Sequence, residues 1–170
     1  MNNLSKGQTK HDVCQEIKSE LTNEGFTVVD KNLEKPWGAY YVIDESQAPK
    51  FLSTYFPDID ATDFSGEMKL SPKILIVEPG KRLSWQYHHR RSELWRVIGG
   101  RAGVVVSDTD ELQDVQLLET GDSVELQQGE RHRLVGLKSW GIIAEIWKHT
   151  DPQNPSDEDD IVRVKDDFGR

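Results

Sequence analysis

Between Glu67 and Trp147 the chain consists of short apolar runs separated by turn-forming residues. The runs cover 73–78, 83–88, 93–98, 102–106, 115–119, 123–126, 132–135 and 141–147. The separators are Pro79-Gly80, Gly99-Gly100, the acidic stretch 108–110, Gly121-Asp122, Gln128-Gly129 and Lys138-Ser139. Eight strand-length runs without a long helical period between them predict an all-β unit, an antiparallel sandwich or barrel. Ile74 to Val77 is among the longest clean apolar runs, and it is strand-sized, far short of the ~18 residues of a membrane span.

The flanks are different. Residues 1–10 are polar, and 11–24 predict a short helix with Cys14, Ile17 and Leu21 on one core-facing side and Gly25 as its stop. Short strands are expected at 26–30 and 38–43, with the turn Lys35-Pro36-Trp37-Gly38 between them. A second short helix is expected at 47–56, ended by Pro57. The stretch 150–160 reads as a loop, followed by the apolar-containing end 161–170. Ile161, Val162, Val164 and Phe168 predict that this end folds back onto the barrel. The chain thus divides into an N-terminal extension (1–34), a barrel (35–150) and a C-terminal tail (151–170).

Charge narrows the function. With 21 Lys and Arg against 30 Asp and Glu, and no basic block, nucleic acid and anionic membranes are excluded as partners. A single cysteine rules out an internal disulfide framework and a Cys-rich zinc site. No apolar leader stands at the N-terminus, so a cytoplasmic location is expected, with a small molecule as the ligand.

Gln86, His88, Glu93 and His132 carry the chemistry. Residues i and i+2 of a strand share a face, so Gln86 and His88 project together. The stretch Arg90-Arg91-Ser92 can then turn the chain, so that Glu93 opens the next antiparallel strand facing His88. With His132 from a later strand, this mixed N/O set suits one divalent ion (Zn²⁺, Mn²⁺, Co²⁺ or Fe²⁺) and leaves positions for water or substrate. His89 has the opposite parity and faces away. His149 reads as a surface residue, Trp37 as a plug of one barrel end, Trp95 as core or pocket wall, and Trp85 as part of a dimer face.

The glycine-bracketed half-motifs around these residues resemble those of the cupin superfamily, which implies a jelly-roll barrel with a metal in its mouth. Within it, PGKRLSWQYHHRRSELW, with Gln86 in place of the more usual His, resembles the type II mannose-6-phosphate isomerases. Lys35-Pro36-Trp37-Gly38-Ala39-Tyr40, Gly121-Asp122-Ser123-Val124, Asp159-Asp160-Ile161-Val162-Arg163 and Phe168-Gly169-Arg170 resemble further segments of that family. The chain departs from it at Arg90, where a third His is common, at Gln127 for Pro, and at Gly136 for Asn. The Gly-rich nucleotide loop of the fused pyrophosphorylase domain does not occur in these residues, so nucleotidyl transfer is not expected of them.

The resemblance implies aldose–ketose isomerisation of a small phosphorylated sugar, mannose 6-phosphate to fructose 6-phosphate, with zinc as the first choice of metal. Such a reaction needs a Lewis acid, a base and a phosphate anchor. Glu145 is the candidate base, turned either into the barrel mouth or onto a solvent-facing edge. Arg82, Arg163 and Arg170 are the candidate anchors; Arg82 otherwise caps the rim, and the other two otherwise belong to a solvated tail. Competing readings are another cupin enzyme, such as an Fe²⁺ dioxygenase, and a non-catalytic sugar- or effector-binding cupin. A homodimer is expected, with the N-terminal helix and strands covering an exposed sheet face across a twofold axis.

Overall fold

The computed structural model describes residues 7–59, 64 and 68–169. Helix α1 (Lys10–Asn23) is followed by strands β1 (Val28–Lys35) and β2 (Gly38–Ile43), a 3-10 turn (Glu45–Gln47) and helix α2 (Ala48–Tyr55). Strands β3 (Leu70–Val77), β4 (Trp85–His88), β5 (Arg91–Ser107), β6 (Gln116–Glu119), β7 (Ser123–Leu126) and β8 (Arg131–His149) follow. A 3-10 turn (Glu158–Asp160) leads into β9 (Ile161–Lys165). One curled antiparallel sheet runs β1-β2-β3-β8-β4-β9, while β5 pairs with β6, β7 and β8.

The eight runs expected between 73 and 147 become six strands. The pairs 93–98/102–106 and 132–135/141–147 each merge into one long strand, β5 and β8, which pair with each other from Arg91↔His149 to Ser107↔Arg131. Gly99-Gly100 is therefore a bulge inside β5 and not a turn: the register shifts on both sides of it. Gly100 has φ +66°, and a Cβ there would lie 2.0 Å from the Trp140 carbonyl oxygen, so only glycine fits. Lys138-Ser139 likewise continue β8.

Alternation on β3 and β8 builds two cores. Ile74, Ile76, Ile142, Ala144 and Ile146 face outward, beneath Val13, Cys14, Ile17 and Leu21 of α1 and Phe51, Leu52 and Tyr55 of α2. Leu75, Val77 and Ile143 face inward with Trp37, Trp95, Val104, Leu126 and Leu134. This is why the runs are apolar on both parities. Helix α1 starts on a capping box: Thr9 Oγ1 accepts from Asp12 N at 3.2 Å, and Thr9 N donates to Asp12 Oδ2 at 3.1 Å. Fully buried Ile17 and Leu21 each contribute about 1.5–3 kcal/mol by leaving water. The helices thus cover the sheet of their own chain.

Two residues differ from the sequence reading. Trp85 is 1% exposed, and its Nε1 donates to the Asp110 carbonyl at 2.9 Å, so it offers no dimer face. His149 is buried, not on the surface. Its Nδ1 accepts from Ser156 N at 2.9 Å, so Nε2 carries the proton and donates to Ser71 Oγ at 2.8 Å. Ser71 Oγ donates in turn to Glu45 Oε1 at 2.6 Å. This relay ties the end of β8 to β3, to the turn before α2 and to the tail.

Burial, reinforced by Lys69, lowers the His149 pKa to about 4, although Glu45 opposes the shift. The unfolded imidazole takes a proton near pH 6.5 and the folded one resists until about pH 4, so stability falls with pH through that window. Urea unfolding should show a loss of roughly 3 kcal/mol from this group as the pH falls between those limits. His149→Gln should flatten that part of the curve. Parallel curves for the two proteins would show that His149 does not carry the effect.

Candidate metal centre

The chain turns a corner at His89-Arg90, between β4 and β5. The two strands do not pair with each other. Strand β4 pairs with β8 at Gln86↔His132 and with β9, while Glu93 of β5 pairs with Leu126 and Trp147. His88 and Glu93 therefore meet across the barrel interior, not as the cross-strand neighbours that the turn reading implied. Parity still aims Gln86, His88, Glu93 and His132 inward, and all four are buried.

Three of them converge closely. His88 Nε2 lies 3.2 Å from His132 Nε2 and 3.1 Å from Glu93 Oε1, and His132 Nε2 lies 3.5 Å from Glu93 Oε2. The tautomers follow from the partners. His132 Nδ1 is 3.0 Å from the Glu130 carbonyl and must donate to it. His88 Nε2 accepts from Arg91 Nη2 at 3.1 Å, which puts the His88 proton on the buried Nδ1, an atom without a hydrogen-bond partner among the described residues. Two imidazole lone pairs and a carboxylate thus point at one spot. Ligand atoms about 2.1 Å from a shared ion stand about 3.0–3.4 Å apart, so the donor set fits a divalent cation. Gln86 stands beside it with its amide nitrogen 3.5 Å from His88 Nε2, while its Oε1 accepts from Ser84 Oγ at 2.5 Å. Ligation through Oε1 requires a half-turn of that amide.

The carboxylate is held from several sides. Arg91 Nε donates to Glu93 Oε1 at 2.7 Å, and Trp95 Nε1 donates both to Glu93 Oε2 at 3.0 Å and to Glu145 Oε1 at 2.9 Å. Burial pushes Glu93 up, but Arg91 and then His88 outweigh it and hold the carboxyl well below its usual range. Glu145 goes the other way: burial and the neighbouring Glu93 push its pKa up to about 8. Burial and nearby His88 and Arg91 lower His132 to about 4, against the pull of Glu93, so it is neutral and free to ligate.

Of the two orientations open for Glu145, the structure shows the inward one; it lines a cavity together with Gln86, Glu93, Trp95 and Trp147. Arg163 lines the same cavity from β9, and its buried Nε has no partner among the described residues. Arg82 does not reach it: the side chain is half-exposed at the rim and is ion-paired with Asp167. Arg170 lies outside the described residues. His89 is exposed against Tyr87. Arg90 points away from the metal ligands and clamps the tail, donating to Asn154 Oδ1, the Pro155 carbonyl and Asp157 Oδ1 at 2.7–3.0 Å. Sequence reasoning missed Arg91 and Lys73. Both carried a signal in their parity: Arg91 alternates with Glu93 and Trp95, and Lys73 with the inward Leu75 and Val77.

The purified chain should bind one divalent ion, and His88→Ala and His132→Ala should each lose it while keeping the β-rich circular dichroism spectrum. Full occupancy in both variants, by elemental analysis, would refute the ligand set.

A profile of the family described as mannose-6-phosphate isomerase C-terminal matches residues 51–166. Xanthan biosynthesis protein XanB of Xanthomonas campestris pv. campestris (strain B100) is 31% identical over 163 residues, 96% of this chain and 28% of that protein. Mannose-1-phosphate guanylyltransferase of Escherichia coli (strain K12) is 29% identical over 158 residues, 93% of this chain and 27% of that protein. The chain therefore spans little more than a quarter of the length of these curated relatives. Among solved structures, KdgF from Halomonas sp. superposes with a TM-score of 0.52 at 13% identity, covering 76% of this chain and 89% of that one, a likeness of fold alone. Profile, relatives and fold agree: the chain is a cupin and belongs to the mannose-6-phosphate isomerase C-terminal family.

Proposed function

We propose that this chain interconverts an aldose phosphate and a ketose phosphate, with mannose 6-phosphate and fructose 6-phosphate as the pair. One observation carries the reading. Glu145, whose carboxyl is pushed towards its protonated form, lines one cavity with Glu93 of the His88–Glu93–His132 donor set and with Arg163, whose buried Nε has no partner among the described residues. The family to which the chain belongs and the mannose-phosphate chemistry named for its relatives support the choice of sugar.

The reaction removes the proton at C2, forms an enediol and returns a proton to C1, while a second proton passes from O2 to O1 of the sugar. His88, Glu93 and His132, with Gln86 after its amide turns, would hold the ion. When bound, a divalent ion supplies Lewis-acid stabilisation to the charge on the sugar oxygens, and its field draws the Glu145 pKa down into a base's range. Glu145 is the group that carries the proton between the two carbons. Trp95 Nε1 donates to its Oε1 and so fixes the carboxyl in the cavity wall. Trp95 bonds Glu93 from the same nitrogen and so fixes base and ligand relative to each other. Arg163 binds the phosphate through a planar fork suited to bidentate contact.

Glu145→Gln should lower kcat for mannose 6-phosphate by about 10²- to 10⁴-fold, the usual share of a general base, with metal content unchanged. Arg163→Met should act mainly on KM, raising it roughly 30- to 150-fold. Turnover by Glu145→Gln at the parent rate would exclude Glu145 as the base.

A further inference from the structure

The C-terminal loop reaches into the same cavity. Arg91 Nη1 donates to Ser156 Oγ at 2.8 Å and to the Asp157 carbonyl at 3.2 Å, while the Arg90 and His89 backbone amides donate to Asp160 at 3.0 and 3.2 Å. These bonds, with the Arg90 side chain, set the turn Glu158–Asp160 against the mouth. Glu158 projects into the cavity wall, and its Oε1 accepts from Lys73 Nζ at 3.2 Å.

Lys73 is an unusual place for a charge. Its side chain is 9% exposed, its ammonium lies 3.4 Å from the Trp147 ring centre, and its strand partner is Glu145. Lys35 and Arg163 line the same wall. Burial pushes the Glu158 carboxyl up, but Lys73, then Lys35 and Arg91, bring it below its usual range. A cluster of cations around one half-exposed carboxylate on a surface turn is a ready anion site, with a side chain as its present occupant.

We propose that Lys73 is the second cation of the phosphate subsite, beside Arg163, and that Glu158 is a resident carboxylate which the substrate's phosphoryl group must displace from it. This deepens the phosphosugar reading above and rests on that reading for the identity of the anion. Glu158 then sets the selectivity of the pocket. A monoanion gains little by replacing a carboxylate that already neutralises Lys73, whereas a phosphoryl dianion can engage Lys73 and Arg163 together. The turn bearing Glu158 must yield for binding, and Arg90 and Arg91 hold the base of that turn while it does.

The test uses sulfate, a tetrahedral dianion, titrated calorimetrically into the purified chain. Glu158→Gln removes one negative charge a few ångströms from the bound anion and should tighten sulfate roughly ten-fold. Adding Lys73→Met should cancel that gain. Unchanged or weaker binding by Glu158→Gln, or a gain that survives the loss of Lys73, would overturn the proposal. Mannose 6-phosphate turnover, followed in parallel, separates this proposal from the reading it rests on. A sulfate gain without isomerisation in either protein would leave the anion subsite standing and remove the isomerase. Isomerisation by the parent without a sulfate gain in the variant would remove only the role given to Glu158 and Lys73.

Discussion

The site depends on one buried negative charge. Glu93 is 2% exposed, and an isolated carboxylate at such depth costs several kcal/mol. It is tolerated because Arg91, two residues before it on the same strand, places a guanidinium 2.7 Å away and is itself 2% exposed. Arg91 in turn needs partners, and finds them in Ser156 and the Asp157 backbone of the C-terminal loop. The metal ligands, the Arg91 ion pair and the tail are therefore one unit.

The same unit explains why the end of the chain is strand and not a solvated run. Strand β9 adds to the edge of β4 with Gln86↔Arg163 in register, which brings Arg163, its buried Nε without a partner among the described residues, into the cavity wall beside Gln86 and Glu93. Arg90, the departure nearest the metal residues, spends its charge on residues 154–160 and leaves the ligand set as His88, Glu93 and His132, with Gln86 alongside. One short segment, 88–93, thus supplies two donor groups, the counter-charge and the clamp on the loop that walls the pocket.

Much of this was legible in the sequence, because period-two alternation is a local property. Parity alone put Gln86 with His88 and turned His89 away, and Gly38–Ile43 and Ser123–Leu126 emerged with the bounds read from the runs. What could not be read were features set by distant partners. Gly99-Gly100 looks like a turn until β8 runs past it and makes it a bulge. Glu145 had two open orientations because its strand is apolar on both faces, one against α1 and α2 and the other against the barrel interior. Arg91 and Lys73 escaped notice because a charged residue near a strand end usually reads as solvated. Their burial follows from Glu93 and Glu158, which are close in space but, for Lys73, far apart in sequence. His149 reads as exposed for the same reason: the tail that covers it returns only after residue 150.

The central claim is that two imidazoles and a carboxylate, held in place by Arg91 and Trp95, form a metal centre. The most direct test is a crystal structure of the chain soaked with zinc, with anomalous difference maps recorded at the zinc edge. The account predicts one strong peak within about 2.0–2.2 Å of His88 Nε2, His132 Nε2 and a Glu93 carboxylate oxygen, with the Gln86 amide turned to present Oε1. A peak bound elsewhere, or a zinc-saturated protein with these three side chains unligated, would contradict it.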